Sequence, residues 1–211
     1  MQVTGSNRDK NRSTRLSIRI PNGQSLHRDT LSVGAEVTDV DLSIEGCGVV
    51  PFPKECGEEL DLRAMMEISG VALEEGDRIA TAHTEGSVSF ALRLSNESNE
   101  AIEMLREKGV NVTLHTPLEG VLTRAIIGTR RPKTAVLRIE DGVAYTAVSV
   151  EKRVKFVEAL PIGSTEGVVN LLAHLNQDFD LGKARFILLG ESSAQHYKTI
   201  KKYFRRVRCE K

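Results

Sequence analysis

The stretch that decides the fold is residues 154–204, VKFVEALPIGSTEGVVNLLAHLNQDFDLGKARFILLGESSAQHYKTIKKYF. Two apolar runs within it, residues 154–162 and 184–189, have the length and composition of β-strands. A Gly–polar junction follows each run, and a helical pattern follows each junction. The apolar residues after the first junction recur at the i, i+3, i+4, i+7 spacing of an amphipathic helix: Val168, Leu171, Leu172 and Leu175. The stretch therefore predicts two parallel strands of one sheet, bridged by a helix over about residues 165–176.

The composition describes a neutral protein with a mostly aliphatic core. The chain has 211 residues, of which 40% are hydrophobic and 4% aromatic, with no Trp and a formal net charge of zero. This length fits one large domain or two small ones. A neutral chain has no overall field that would attract nucleic acid or a membrane. The charge is uneven, however, because residues 198–211 carry seven Lys and Arg against one Glu.

The sequence also indicates a cellular setting. Three scattered cysteines predict neither a disulfide framework nor a zinc site. The polar, basic start lacks the apolar core of a secretory signal, and no apolar run has membrane-spanning length. We therefore expect a cytoplasmic protein with no membrane contact, and a disordered tail over residues 1–13.

The predicted fold class is α/β, with α+β as the alternative. Residues 14–128 are predicted to form a β-rich α+β domain and residues 129–211 an α/β domain, although a single domain is also compatible with the sequence. The first half contains predicted strands, predicted helices and an irregular loop: strands 15–20, 25–33, 37–44, 78–83, 87–94, 110–114 and 121–127, helices 58–68 and 96–108, and loop 46–53. Pro21-Asn22-Gly23 predicts a hairpin turn between the first two strands.

The segment from Lys133 onward has a characteristic order of elements. A hairpin of residues 134–140 and 143–150 across Asp141-Gly142 is followed by a strand, a helix, a strand and a helix. This order resembles the ribonuclease H-like fold. Nucleases of that fold place a Mg²⁺-binding Asp within the first strand. Residues 134–139 contain no acid, because Glu140 and Asp141 fall in the turn, and this departure argues against a nuclease.

A second resemblance covers residues 90–112, FALRLSNESNEAIEMLREKGVNV. This pattern resembles the opening strand–helix–strand of an ACT-type regulatory domain. The resemblance implies that the strand-to-helix turn at residues 96–98 takes part in binding an amino acid.

The first candidate site is a pair of junctions that precede helices. One contains Gly163, Ser164 and Thr165, and the other contains Gly190, Ser192 and Ser193. Helix N-termini carry unpaired N–H groups and partial positive charge, so they attract anions. If the preceding strands are parallel, both junctions lie at the carboxyl edge of one sheet, where α/β proteins bind ligands. The alternative is that Ser164 and Ser192 are ordinary helix caps.

The second candidate site is the pair His83 and His115. Each follows a predicted strand, and a Glu follows shortly after each, at Glu85 and Glu119. Two imidazoles and a carboxylate are suited to a divalent metal or to acid–base catalysis. The alternative is two unrelated polar residues at strand ends.

The third candidate is the basic C-terminus. Lys198, Lys201, Lys202 and Arg205 share one face if the helix continues, and Arg206 and Arg208 follow. Such a face is suited to nucleic-acid phosphates. The alternative is a solvated helix end.

We therefore expect a ligand-binding or regulatory module for a small anionic molecule. The alternatives are a metal-assisted hydrolase that uses His83 and His115, and a nucleic-acid-binding protein that uses the basic C-terminus. The sequence does not decide whether the protein is an enzyme, and it leaves the cofactor unknown. A homo-oligomer is possible.

Overall fold

A computed structural model describes residues 2–6, 14–28, 34, 36–84, 86–127, 132–190 and 195–210. Contacts divide the chain into two compact units, Met1–Thr116 (unit 1) and Pro117–Lys211 (unit 2). Helices and mixed sheets confirm the α/β class. Residues 128–131, beside the predicted domain boundary, lie outside the described residues, and that boundary stays a prediction.

The described part of unit 1 contains seven strands and two helices. The strands are β1 (Gln2–Ser6), β2 (Thr14–Ile20), β3 (Val37–Ile44), β4 (Val49–Pro53), β5 (Arg78–His83), β6 (Val88–Leu94) and β7 (Asn111–His115), and the helices are α1 (Leu62–Ile68) and α2 (Asn96–Glu107).

Strand β2 lies inside a four-stranded sheet of order β1-β2-β3-β7. It pairs antiparallel with β1 and parallel with β3. Both edges of β2 are thus occupied, which leaves no place for the predicted return strand of residues 25–33. Residues 25–27 form no strand, and residues 29–33 lie outside the described residues.

The predicted tail at residues 1–13 is also corrected, because Gln2–Ser6 pair as β1; residues 7–13 are not among the described residues.

A second sheet in unit 1 has the order β4-β6-β5. Strand β4 falls where the sequence predicted an irregular loop with two prolines. Proline is tolerated on an edge strand because one side of that strand needs no ladder hydrogen bond. Val50 and Phe52 of β4 are buried against Met66 of α1. Burial of this apolar pair explains the strand despite the prolines.

Helix α2 confirms the predicted helix of the first half. The Ser95 side chain caps it by accepting a hydrogen bond from the Ser98 amide. Ala101, Ile102 and Leu105 of this helix are buried. Gly109 follows the helix at a φ of 78°, a left-handed conformation that favours glycine.

The described part of unit 2 contains five strands and three helices. The helices are α3 (Pro117–Ile126), α4 (Thr165–Phe179) and α5 (Tyr197–Tyr203), and the strands are β8 (Lys133–Glu140), β9 (Val143–Val150), β10 (Arg153–Pro161), β11 (Arg185–Leu189) and β12 (Val207–Glu210).

Helix α3 replaces the strand predicted over residues 121–127. Its buried apolar residues are Leu118, Val121, Leu122 and Ala125, which follow the i, i+3, i+4, i+7 spacing of a helix. Pro117 suits the first helical turn, where its missing N–H costs nothing. The strand prediction was wrong because it considered only the short apolar run of residues 121–127. The helical spacing becomes visible when Leu118 is included.

The five-stranded sheet of unit 2 has the order β10-β9-β8-β11-β12. Strands β10, β9 and β8 are successively antiparallel, and β8 is parallel to β11. Strands β10 and β11 are therefore parallel members of one sheet, bridged by α4, as predicted. Strand β12, parallel to β11 at the sheet edge, was not predicted.

Helices cover both faces of this sheet. Val168, Leu172 and Leu175 of α4 and Ile200 of α5 join one core with Leu137 of β8. Helix α3 lies against strands β8, β9 and β10, and the Ser149 hydroxyl of β9 donates to the Ala125 carbonyl of α3 at 2.6 Å. Alternate residues of β8 therefore face different helices, which explains its nearly continuous burial. None of the described helices is long and apolar enough to cross a membrane.

Candidate functional site

The carboxyl ends of β8 and β11 lie side by side in unit 2, because these strands are parallel neighbours. Strand β8 ends in the turn Glu140-Asp141-Gly142. Asp141 and Gly142 have φ values of 46° and 74°, the left-handed pair required by a tight two-residue hairpin turn. This turn occupies the centre of the carboxyl edge, between the two junctions predicted from sequence.

The first junction lies on one side of the turn. The Ile162 amide donates to the Gly142 carbonyl at 2.6 Å, so Gly163 and Ser164 follow immediately beside the turn. Ser164 is the N-cap of α4, and its hydroxyl accepts from the Gly167 amide at 3.3 Å. The predicted capping role is confirmed. The ligand-binding role of Gly163, Ser164 and Thr165 stays a prediction.

The second junction lies on the other side of the turn. Gly190 has a φ of 79°, and a Cβ at this position would be 3.5 Å from Oε1 of Glu140. The Gly190 amide donates to the Glu210 carbonyl at 3.2 Å. Ser192 and Ser193 lie outside the described residues, so their part in the predicted site stays a prediction.

An ion pair lies at the same edge. Nη2 of Arg138 is 2.7 Å from Oε2 of Glu140, and the Arg138 and Glu140 side chains are 29% and 16% exposed. Nε of Arg138 is buried with no hydrogen-bond partner among the described residues. A buried donor without a partner costs free energy, so this edge contains unused donor capacity.

The two junctions are separated along the sheet by strands β9 and β8. Neighbouring strands lie about 4.8 Å apart, so the three spacings from β10 to β11 place the junctions roughly 14 Å apart. A bare phosphate cannot contact both. A ligand that contacts both junctions must be about as long as a nucleotide.

The structure gives His83 and His115 separate partners. Nδ1 of His83 is 3.0 Å from the Ser89 hydroxyl, and Nε2 of His115 is 3.6 Å from Oδ1 of Asp41. His83 is in the three-stranded sheet and His115 in the four-stranded sheet. Across the described ranges, no group of three or more His, Cys, Asp or Glu side chains is placed to hold a metal ion. The metal-assisted hydrolase stays a prediction, and Glu85 lies outside the described residues.

The basic C-terminus is not one helix face. Helix α5 ends at Tyr203, Phe204 is extended, and Arg208 belongs to strand β12. Arg205 therefore does not continue the face formed by Lys198, Lys201 and Lys202. The predicted geometry of the nucleic-acid surface is corrected, while nucleic-acid binding itself stays a prediction.

Unit 1 has its own carboxyl edge, where the parallel strands β2 and β3 end. A cavity of about 420 Å³ opens there, lined among others by Glu45, Arg93, Ser95 and Ser98. The last two belong to the strand-to-helix turn at α2. Its amino-acid binding, implied by the ACT-type resemblance, is not tested and stays a prediction.

Sequence reasoning missed Arg138, Glu140 and Gly142 as members of the unit 2 site. They are distant in sequence from both junctions and meet them only through the sheet order. The ribonuclease H-like order of elements could have indicated these residues. That order places β8, the first strand of the hairpin, beside β11, the strand that precedes the last helix.

Comparison with known proteins establishes the fold. The chain is similar to a protein of Bacteroides thetaiotaomicron VPI-5482 that is described as having an actin-like ATPase fold and unknown function. The TM-score is 0.67 at 12% identity, over 82% of this chain and 68% of that one. The chain thus shares the actin-like ATPase fold. No protein-family model and no curated protein matches the sequence.

Two further similarities have lower TM-scores. One is to the PilM–PilN type IV pilus biogenesis complex, with a TM-score of 0.48 at 14% identity over 82% of this chain and 69% of that one. The other is to the cytoplasmic domain of EpsL, an inner membrane component of the type II secretion system of Vibrio cholerae, with a TM-score of 0.42 at 13% identity over 83% and 80%. Of these three proteins, only the first exceeds a TM-score of 0.5, so it alone bears on the fold.

Proposed function

We propose that unit 2 binds a small phosphate-bearing molecule at the carboxyl edge of its five-stranded sheet. The observation that carries the proposal is the position of the turn Glu140-Asp141-Gly142. It lies between the Gly163 junction and Gly190, at the ends of two adjacent parallel strands. Ligands of open α/β sheets bind at this edge.

The backbone at this edge is suited to anions. Gly163 is exposed, and apart from its own residue and its two chain neighbours no atom lies within 4 Å of the place where its Cβ would be. A phosphate can therefore approach the backbone closely here, next to the N-terminus of the 15-residue helix α4. The partial positive charge of that terminus favours the negative ligand.

The acidic residues constrain the kind of ligand. Glu140 is paired with Arg138, but Asp141 is exposed at the turn. Two carboxylates repel a bare anion unless a bound cation lies between them and the phosphates. This favours a ligand that arrives with a divalent cation. The Bacteroides protein is described as having an actin-like ATPase fold, so a nucleoside triphosphate with Mg²⁺ is the first ligand to test.

The test uses Gly163→Val. The added Cβ meets open space in the folded protein, so the fold should be retained, and the valine side chain should fill the volume that a phosphate would enter. We expect Mg²⁺–nucleotide to raise the melting temperature of the wild type. A ligand at 100 times its Kd stabilises by about 2.7 kcal/mol. Gly163→Val should lose most of this gain while keeping the ligand-free melting temperature.

Gly182→Val is the matched control. Gly182 also has no atom within 4 Å of a Cβ, but it precedes β11 and lies at the amino end of that strand. Its substitution should leave ligand stabilisation unchanged. Equal stabilisation of wild type and Gly163→Val would contradict the proposed site, and absence of any shift with nucleotides, phosphate and small carboxylic acids would contradict anion binding by this unit.

The same samples distinguish a binding module from an enzyme. Phosphate release from the triphosphate, measured under conditions where binding is saturated, should be absent from a purely regulatory module. Release that Gly163→Val abolishes would assign turnover to this site.

A further inference from the structure

Three arginines lie together at the free edge of the unit 2 sheet. Strands β11 and β12 are parallel, with Phe186 opposite Val207 and Ile187 opposite Arg208. Arg185 and Arg206 directly precede the first of these pairs, and the Phe186 amide donates to the Arg206 carbonyl at 2.9 Å. Side chains alternate along strands, so Arg185, Arg206 and Arg208 share one face. With Val207 they line a single depression, which we call the arginine depression.

The neighbouring carboxylate does not balance these charges. Glu210 on β12 accepts two hydrogen bonds from Arg124 of α3, at 2.5 and 2.8 Å. Arg208 reaches the same carboxylate only at 3.6 Å. Arg206 donates to the Lys183 carbonyl at 3.4 Å, and the Arg185 side chain makes no hydrogen bond or ion pair with the described residues. Among the described residues, the Glu210 carboxylate is thus shared between Arg124 and Arg208.

The repulsion between these arginine side chains cannot be removed by deprotonation. Arginine remains protonated at any physiological pH, so the charge persists. Hydrogen bonds from Arg124, together with the charges of Arg208 and Arg185, hold the pKa of the Glu210 carboxyl below its usual range. Like charges directly opposite on neighbouring strands destabilise a sheet. A bound anion would remove that cost.

We propose that the arginine depression is a second binding site, separate from the carboxyl edge, for a ligand that carries two or more adjacent phosphate groups. The planar forks of guanidinium groups match phosphate oxygens in pairs. Adjacent strands are about 4.8 Å apart and alternate residues of one strand about 6.6 Å apart, so the three side chains start close enough to surround a diphosphate. A single carboxylate would neutralise only one of the three arginine charges.

The probe for this site is inorganic pyrophosphate, titrated by calorimetry at constant ionic strength in the Gly163→Val background, where the carboxyl-edge site is blocked. The double variant Arg185→Gln with Arg208→Gln should bind pyrophosphate at least about tenfold more weakly. Without ligand and at low salt, it should also melt at a higher temperature, because like-charge repulsion is relieved.

The matched control is Arg153→Gln with Lys155→Gln. It removes the same charge from strand β10, at the opposite edge of the sheet. This control should bind pyrophosphate as well as its parent does. Equal weakening by both double variants would overturn the proposal, because the effect would then be one of overall charge.

A third arm separates a small phosphate ligand from nucleic acid. A 12-nucleotide single strand that binds to the arginine depression with steep salt dependence, while pyrophosphate does not bind, would overturn the small-ligand proposal in favour of a nucleic-acid surface. Pyrophosphate binding that persists when nucleotides fail to shift wild-type melting would support this site even though the proposed function had failed.

Discussion

The carboxyl edges of the two units differ in how their polar groups are used. In unit 1 the groups at the edge bind one another. Arg19 donates to the buried carboxylate of Glu45 at 2.6 Å, and Arg93 donates to the buried carboxylate of Asp77 at 2.6 Å. In unit 2 the edge is formed mainly by a turn and by exposed glycine backbone. Side chains that hydrogen-bond to one another stabilise the fold. Exposed backbone leaves N–H groups available to bind a ligand.

This difference predicts where substitution is costly. Changes at the unit 1 edge should act on stability, and changes at the unit 2 edge should act on binding. The two effects can be measured separately, because the chain has no Trp and its three Tyr residues, Tyr145, Tyr197 and Tyr203, all belong to unit 2. Tyrosine fluorescence therefore reports unit 2 alone.

The largest expected loss is for Asp77→Ala in unit 1. One oxygen of Asp77 accepts from the Glu74 amide at 2.7 Å and from Arg93 at 2.6 Å. Removal of a buried ion-pair partner leaves the other charge uncompensated, which costs 3–5 kcal/mol when both are buried. Arg93 is 28% exposed, so we expect about 2–3 kcal/mol. Hydrogen exchange of the β6 amides should show the loss.

The control for this prediction is Glu74→Ala, in the same network. Glu74 is 77% exposed and pairs with Arg93 at 2.8 Å. An exposed ion pair contributes about 0–1 kcal/mol. Equal losses for Glu74→Ala and Asp77→Ala would show that burial does not set the strength of this network.

The next effect compares one serine at each edge, Ser98 inside the first turn of α2 and Ser164 at the cap of α4. The Ser98 hydroxyl is buried and accepts from the Leu26 amide at 2.9 Å, so Ser98→Ala leaves a buried donor without a partner. This should cost about 1–3 kcal/mol. Ser164→Ala removes an exposed cap from α4 and should cost about 1 kcal/mol. Urea unfolding followed by circular dichroism and by tyrosine fluorescence assigns each loss to its unit. A larger loss of stability for Ser164→Ala than for Ser98→Ala would contradict the expectation that substitutions at the unit 1 edge cost more stability.

A third effect depends on pH and concerns one of the ion pairs of unit 2, Arg124 with Glu210. The pKa of Glu210 is lowered by hydrogen bonds from Arg124. A carboxyl with a depressed folded-state pKa contributes stability above its ordinary pKa, and this contribution is lost as the pH falls through the folded-state pKa. The β12 amides should therefore exchange faster as the pH falls below about 4.5, the ordinary value, after correction for intrinsic exchange rates.

Arg124→Gln should remove most of this acid dependence at β12 and lower stability at neutral pH. The control is Arg106→Gln, whose pair with Glu103 is exposed on α2 of unit 1. An acid response at β12 that is unchanged in Arg124→Gln would show that other carboxyls cause it.

The sequence was sufficient for elements with local signals. The hairpin across Asp141-Gly142, helix α2 and the strand–helix–strand unit around α4 were predicted correctly, because turn chemistry and periodicity act over a few residues. Elements defined by their neighbours were missed. Strand β4 carries prolines that only an edge position tolerates, and β12 is a four-residue strand that requires β11 beside it.

The candidate site shows the same limit. Gly163, Ser164 and Gly190 could be selected from sequence because glycine and serine before a helix have a local meaning. Arg138 and Glu140 could not, since they are distinguished only by the sheet order that places β8 next to β11. Pairing between residues 51 apart in sequence, such as Thr134 and Arg185, leaves no pattern in either strand alone.

The smallest expected effect is for Gly163→Ala in the absence of ligand. A Cβ at Gly163 meets no atom within 4 Å, and its φ is not in the left-handed region. Such a substitution reduces the freedom of the unfolded chain and should change stability by less than about 1 kcal/mol, in the stabilising direction. Tyrosine fluorescence during urea unfolding measures this change.

Gly46→Ala at the unit 1 edge is the contrasting variant, because Gly46 has a φ of 124° and its Cβ would lie 2.5 Å from Oδ1 of Asn22. A strained backbone costs about 1–3 kcal/mol, so unit 1 should lose stability where unit 2 does not. A loss at Gly163 as large as that at Gly46 would mean that the unit 2 edge is as closely packed as the unit 1 edge, and the space for a ligand would be gone.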